Sequence, residues 1–127
     1  MIDIQTVEGI HNILIDKFGG SKGIRDIGAL EASLARHYTT FDQKELYPTS
    51  IDKAAAVFES VIINHPFVDG NKRIAYVLMR ILLMADNIDL AASQNEKYTF
   101  VIRASKGDFR FDEIKIWLTK HVSKKGA

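Results

Sequence analysis

The chain has no cysteine among its 127 residues. That absence removes disulfides, thiolate catalysis and cysteine-type zinc sites together, and it suits a reducing compartment. Charge of one sign is lacking as well: 17 basic against 16 acidic residues leave a formal net charge of +1. A broad nucleic-acid surface needs a basic stripe, so no direct nucleic-acid binding is expected. The pair Lys124-Lys125 is too short to form one and reads as a solvated, frayed end. Long hydrophobic runs are missing too. The longest, Val77 to Ala85, is interrupted by Arg80 and is too short for a bilayer. Met1-Ile2-Asp3-Ile4 has no basic stretch leading into apolar residues, so no signal peptide is read there. These absences point to a cytoplasmic protein with no membrane partner. No repeat, low-complexity tract or linker divides the chain, and residues 1–127 read as a single domain. A content of 46% hydrophobic and 26% charged residues is ordinary for one packed core.

What is present is mostly helical periodicity. Val7, Ile10, Leu14 and Phe18 define one face of a first helix, stopped by Gly19-Gly20. Asp26 is placed to cap a second, with Leu30 and Leu34 inward, and Ser50 to cap a third. In that third helix Ala54, Val57, Phe58, Val61 and Ile62 form the inner stripe, which His65 continues before Pro66 disfavours further helix. A fourth helix from about Asn71 to Asp86 carries two apolar faces and reads as the buried centre. Two further helices are expected near Asn95 to Ala104 and Asp112 to His121, with Trp117 and Tyr98 in the core. Asp86 to Ala92 fits a short strand or a loop. The expectation is an all-α fold, a compact bundle of about six helices around a central buried one.

The densest chemistry lies in His65-Pro66-Phe67-Val68-Asp69-Gly70-Asn71-Lys72-Arg73. Gly70-Asn71 falls where the chain turns into the fourth helix, and a helix N-terminus offers unpaired N–H groups and partial positive charge to phosphate. Glycine permits positive φ and close backbone approach, and asparagine tolerates left-handed conformations. Cations in a first helical turn oppose the helix dipole, so Lys72 and Arg73 make sense beside a bound anion. There Lys72 is a point charge and Arg73 a bidentate fork. Asp69 is a lone carboxylate of the kind that shares Mg²⁺ with nucleotide oxygens. His65 is the candidate general base, since a free imidazole with pKa of about 6.5 accepts a proton near neutrality.

Taken singly, each of these residues has an ordinary explanation: a helix-end histidine, an Asp-Gly turn, surface cations. The ordinary explanations weaken together, because one short segment concentrates the polar groups between two strongly apolar helices. Arg80 falls on nearly the same helix face as Arg73. It reads either as a second substrate contact or as an arginine reaching a carboxylate. Arg25-Asp26 reads as a helix cap with a salt bridge. The four histidines, His11, His37, His65 and His121, lack the spacing of a paired zinc-ligand set.

The segment from His65 to Arg73 resembles the Fic/Doc family pattern His-Pro-Phe-x-(Asp/Glu)-Gly-Asn-(Gly/Lys)-Arg. Gly23 to Glu31 is similar to the family's Gly-x-Arg-Asp-x-Gly-x-Leu-Glu segment. Ala104-Ser105-Lys106-Gly107 is similar to its Ala-Ser-Gly turn, with an inserted lysine. The resemblance implies His65 as the catalytic histidine, Phe67 as the structural anchor of the loop and Asp69 as the Mg²⁺ ligand. Gly70, Asn71, Lys72 and Arg73 become the nucleotide phosphate site, with Lys72 and Arg73 sharing in catalysis. Adenylylating members carry glycine at the position of Lys72 and a second arginine at that of Tyr76. Both departures resemble the Doc branch, whose members move the γ-phosphate of ATP onto a protein. The implied activity is therefore a kinase-like toxin acting on a Ser/Thr hydroxyl of a translation factor, with EF-Tu as the expected target and ATP and Mg²⁺ required. Ile74, where Doc proteins often have threonine, is a modest departure. No Ser or Thr has Glu four residues later, so the self-silencing motif of many Fic proteins is absent. The implied silencer is a separate antitoxin whose C-terminal segment folds on binding. The alternatives are transfer of AMP by the same His65, and stoichiometric, non-enzymatic inhibition of translation.

Overall fold

The computed structural model describes residues 2–124 of the chain. Along it run α1 (Ile4–Phe18), α2 (Ile27–Ala35), a 3-10 turn (Arg36–Tyr38), β1 (Thr40–Phe41) and β2 (Lys44–Glu45). After these come α3 (Ser50–Asn64), α4 (Asn71–Met84), β3 (Ile88–Leu90), α5 (Gln94–Ser105), α6 (Phe111–His121) and β4 (Val122–Lys124). The architecture is a bundle of six helices with two small antiparallel ribbons, β1–β2 and β3–β4. β3 and β4 pair Ile88 with Lys124, Asp89 with Ser123 and Leu90 with Val122. The undecided stretch after α4 thus holds the strand β3, and Lys124 belongs to its partner β4 rather than to a frayed end. Lys125 lies outside the described residues.

Helix boundaries follow local chemistry. Asp26 caps α2 by accepting from the Ala29 N–H at 3.0 Å. α3 begins one residue earlier than expected: Thr49, not Ser50, is its cap. The Thr49 hydroxyl accepts from the Asp52 N–H at 3.0 Å, and the Asp52 carboxylate accepts from the Thr49 N–H at 3.3 Å. An acidic residue three positions on makes Thr49 the better cap, because only that pairing closes a reciprocal box.

α3 and α4 form the main packed pair, and α3 also meets α2 and α6. Residues 54–62 of α3 are all buried, whereas α4 leaves Lys72, Arg73 and part of Tyr76 and Val77 open. The central helix is therefore α3. α4 is apolar on two sides but carries the polar machinery at its N-terminal end. In α1 the fully buried positions are Val7, His11 and Ile15; Ile10 and Leu14 pack partly buried against the core as expected, whereas Phe18 is 52% exposed. Phe100 and Trp117 stack with centroids 4.0 Å apart, so Trp117 packs on the core as expected. Tyr98 does not, being 70% exposed.

Candidate active site

α3 ends abruptly at the family-like segment. His65 has φ 46° and ψ 57°, a left-handed conformation that costs an L-residue about 1–2 kcal/mol. Its N–H still bonds the Val61 carbonyl at 3.2 Å, but the turn takes its side chain off the buried stripe and leaves it exposed. Phe67 then turns inward. It is 1% exposed and stacks on His11 with ring centroids 3.9 Å apart and planes 9° apart. The Asn71 side chain braces the loop from inside: its Oδ1 accepts from the Phe67 N–H at 2.9 Å and its Nδ2 donates to the Phe67 carbonyl at 3.0 Å. That leaves the backbone N–H of Asn71, rather than its amide, for an anion.

Gly70 caps α4 with φ 73°. A Cβ there would lie 3.2 Å from Ile15 Cδ1 and 3.4 Å from His11 Nε2, in addition to the left-handed strain. No side chain caps this helix end, so its first N–H groups keep their hydrogen-bonding capacity. Lys72 and Arg73 occupy the exposed first turn, and no carboxylate among the described residues pairs with either. The Arg73 guanidinium lies 4.3 Å from the centroid of the Phe18 ring, which explains why that phenylalanine stays at the surface.

Asp69 is held from two sides. Its carboxylate accepts from the Ser21 N–H at 3.1 Å and from the Gly70 N–H at 2.8 Å. His11 Nε2 donates to the Asp69 carbonyl at 2.7 Å, a bond that requires the Nε2–H tautomer because a carbonyl only accepts. The Cβ of any residue replacing Gly20 would stand 2.7 Å from Asp69 Oδ2, so glycine is needed there for close approach.

His65, Asp69, Gly70, Asn71, Lys72 and Arg73 all line one cleft of about 770 Å³, with Gln94, Lys97, Tyr98 and Val101 of α5 among its other lining residues. Small-molecule and cofactor pockets occupy about 300–1,000 Å³. Phe67 lies beneath the loop, outside the cleft. Tyr76 also lines it, and burial raises its phenol above the ordinary value, with Arg80 opposing and Asp89 reinforcing, so it is a neutral hydroxyl at physiological pH. Among the described residues no group of three or more His, Asp or Glu side chains could hold a metal unaided. The donor chemistry at Asp69, one hard carboxylate beside an anion cradle, fits a cation that brings phosphate oxygens and waters with it.

Sequence reasoning placed some residues wrongly and missed others. Arg80 makes a bidentate pair with Asp89 of β3 at 3.0 and 2.6 Å, the carboxylate-seeking reading rather than a substrate contact. Arg25 forms no salt bridge among the described residues. Its Nε donates to the His65 carbonyl at 2.7 Å and its Nη2 to the Asn64 carbonyl at 2.6 Å. His11 was read only as a non-ligand, although its position midway between Val7 and Ile15 is the signal that could have put it inward.

A model of the Fic/DOC family matches residues 1–83. The chain belongs to the Fic/DOC family. It is similar to the Toxin Doc of Mycolicibacterium smegmatis, 43% identical over 75 residues, a stretch that is 59% of this chain and 58% of that protein. The chain thus aligns with a little over half the length of that relative. The family match takes in the whole segment from His65 to Arg73, whereas α5, which supplies much of the cleft's lining, lies beyond it.

Proposed function

We propose that this chain is the toxin of a toxin–antitoxin pair. It would act as a protein kinase that moves the γ-phosphate of ATP to a Ser/Thr hydroxyl of a translation factor, EF-Tu being the expected target, and so arrests translation. The observation that carries this reading is the uncapped N-terminus of α4. Its first turn presents Lys72 and Arg73 without partner carboxylates, on the same cleft as His65 and Asp69.

In this reading the Asn71–Arg73 N–H groups and the two cations hold the phosphates and neutralise charge as it shifts. The target hydroxyl oxygen attacks the γ-phosphorus and its proton passes to His65. The bond from that phosphorus to the bridging oxygen breaks, and ADP leaves. Asp69 would hold Mg²⁺, which when bound screens the phosphate charge. Positioning and charge neutralisation supply most of the rate in such transfers, and this loop is built for both. The similarity to Toxin Doc supports toxicity and, with it, an antitoxin; in this reading the antitoxin's C-terminal segment folds on binding. Lys72, where adenylylating members carry glycine, resembles the Doc branch, and that resemblance favours the kinase over the adenylyltransferase reading.

The test is purified protein with Mg²⁺, bacterial lysate and ATP labelled at either the α or the γ phosphate, beside His65→Ala. A γ-labelled protein band that vanishes in the variant is the expected result. An α-labelled band would replace the kinase with an adenylyltransferase. Translation arrest without any His65-dependent label would make the protein a stoichiometric inhibitor.

A further inference from the structure

The segment Gly23 to Glu31 is packed directly against the phosphate loop. Ile24 forms an isolated antiparallel bridge with Phe67, and the Gly23 carbonyl accepts from the Val68 N–H at 3.0 Å. Three consecutive carbonyls at the end of α3 are taken by this segment. Arg25 Nε and Nη2 hold those of His65 and Asn64, and the N–H groups of Arg25 and Asp26 both reach Pro66 O, at 2.8 and 3.0 Å.

We infer that Arg25 is a positioning residue for His65, acting by clamping the peptide units on either side of it in their left-handed turn. The inference rests on the proposed role of His65 as the base.

Left-handed backbone at a helix end is usually given to glycine, and His65 carries a Cβ, so the conformation must be imposed from outside. Rotation about the His65 backbone dihedrals swings the imidazole, whose Cβ shares the same Cα. A planar fork bonding both neighbouring carbonyls blocks that rotation, and its charge complements the negative end of the α3 dipole. A purely structural cap is the competing explanation. It is weakened because Arg25 is exposed and buries little surface.

The experiment compares Arg25→Ala and Arg25→Lys with the wild type in γ-phosphate transfer, and follows His65 by NMR. The expected result is a fall in kcat on the order of 100-fold for R25A, the cost of displacing a reacting group by about an ångström, with KM for Mg-ATP unchanged. Guanidinium ion well below denaturing concentration restores part of the rate, while sodium at equal ionic strength does not. In R25K one ammonium replaces the fork and the loss is intermediate. The His65 Cα and Cβ shifts leave their left-handed values in R25A, and its amide becomes more mobile. Wild-type kcat in R25A would overturn the inference. So would a rise in KM alone, or a His65 that stays left-handed and ordered. If the wild type transfers no label, the kinase reading fails and the NMR comparison alone decides the role of Arg25. If R25A does not fold, R25K is carried through the same two measurements, with the same outcomes deciding.

Discussion

The α3–α4 pair carries two polar regions, one facing α6 and one at the loop end between the helices, and the chain treats them differently. On the side facing α6, Glu59 is buried and receives Arg36 at 2.7 Å and Arg110 at 3.0 Å; Asp52 receives Lys115 at 2.7 Å. Burial alone would raise both carboxyls. The hydrogen bonds from Arg36 and Arg110 to Glu59, and from Lys115 and Thr49 to Asp52, outweigh it and hold each below the usual carboxylate range. At the loop end, His65 sits in a strained backbone conformation, and Lys72 and Arg73 oppose the dipole of α4. One region has its charges satisfied by the chain. The other leaves two cations without a carboxylate partner among the described residues, the pattern expected where stability is given up for binding.

That contrast can be broken from the satisfied side first. Glu59→Ala leaves two arginines around an empty space and is expected to destabilise the fold by about 3 kcal/mol, read from urea unfolding. Acid should act on the same pairs. Because the folded pKa values of Glu59 and Asp52 are depressed, their contribution is present above the unfolded values of about 4 and is lost as pH falls through the folded ones. His37 adds an earlier step. Burial lowers its pKa, so the unfolded chain takes up a proton first, and stability begins to fall below about pH 6.5. In His37→Asn that first step disappears from the pH dependence of the unfolding midpoint.

From the unsatisfied side the sign reverses. Lys72→Met should leave stability unchanged or raise it by about 0.3–1 kcal/mol, since a cation leaves the positive end of a helix. Binding of Mg-ATP should weaken by about tenfold or more, as expected for a lost charge-assisted contact. Calorimetric unfolding and nucleotide titration on the same sample separate the two effects. Arg80→Gln gives the smallest change. Its pair with Asp89 is partly exposed, so the expected loss is about 0–1 kcal/mol, with transfer activity intact.

How much of this was legible in sequence varied with the physics involved. α4 was readable because its buried positions are all apolar, so hydropathy and burial coincide, and in α3 the apolar stripe was readable while the burial of Asp52, Glu59 and Ser60 was not. In α1 they do not coincide. Its inner face runs through His11, whose burial is sustained by a carbonyl partner far along the chain, and hydropathy places such a residue outside. The cleft's polar residues were readable because they are contiguous from His65 to Arg73. Arg25 was not, since its partners are backbone carbonyls, which carry no side-chain signature. Tyr98 looked like a core aromatic, and only the packing of α5 shows that its ring lines the cleft. β3 escaped assignment because a three-residue strand is decided by its distant partner.

That partner has a consequence for the order in which the molecule assembles. The β3–β4 ribbon joins residues 88–90 to 122–124 and closes α5 and α6 into a loop fastened at both ends, with Ala91 N–H also bonding the His121 carbonyl. Contacts between α3, the His65 turn and α4 are short in sequence and form quickly, whereas the ribbon must wait for a long closure. α3 and α4 are thus expected to pair before α5 is locked beside them, whereas the His65 turn also waits for Arg25, 40 residues away in sequence. Amide exchange in Leu90 and Val122 should then be faster than in the middle of α3, and should report how often the molecule opens its own cleft.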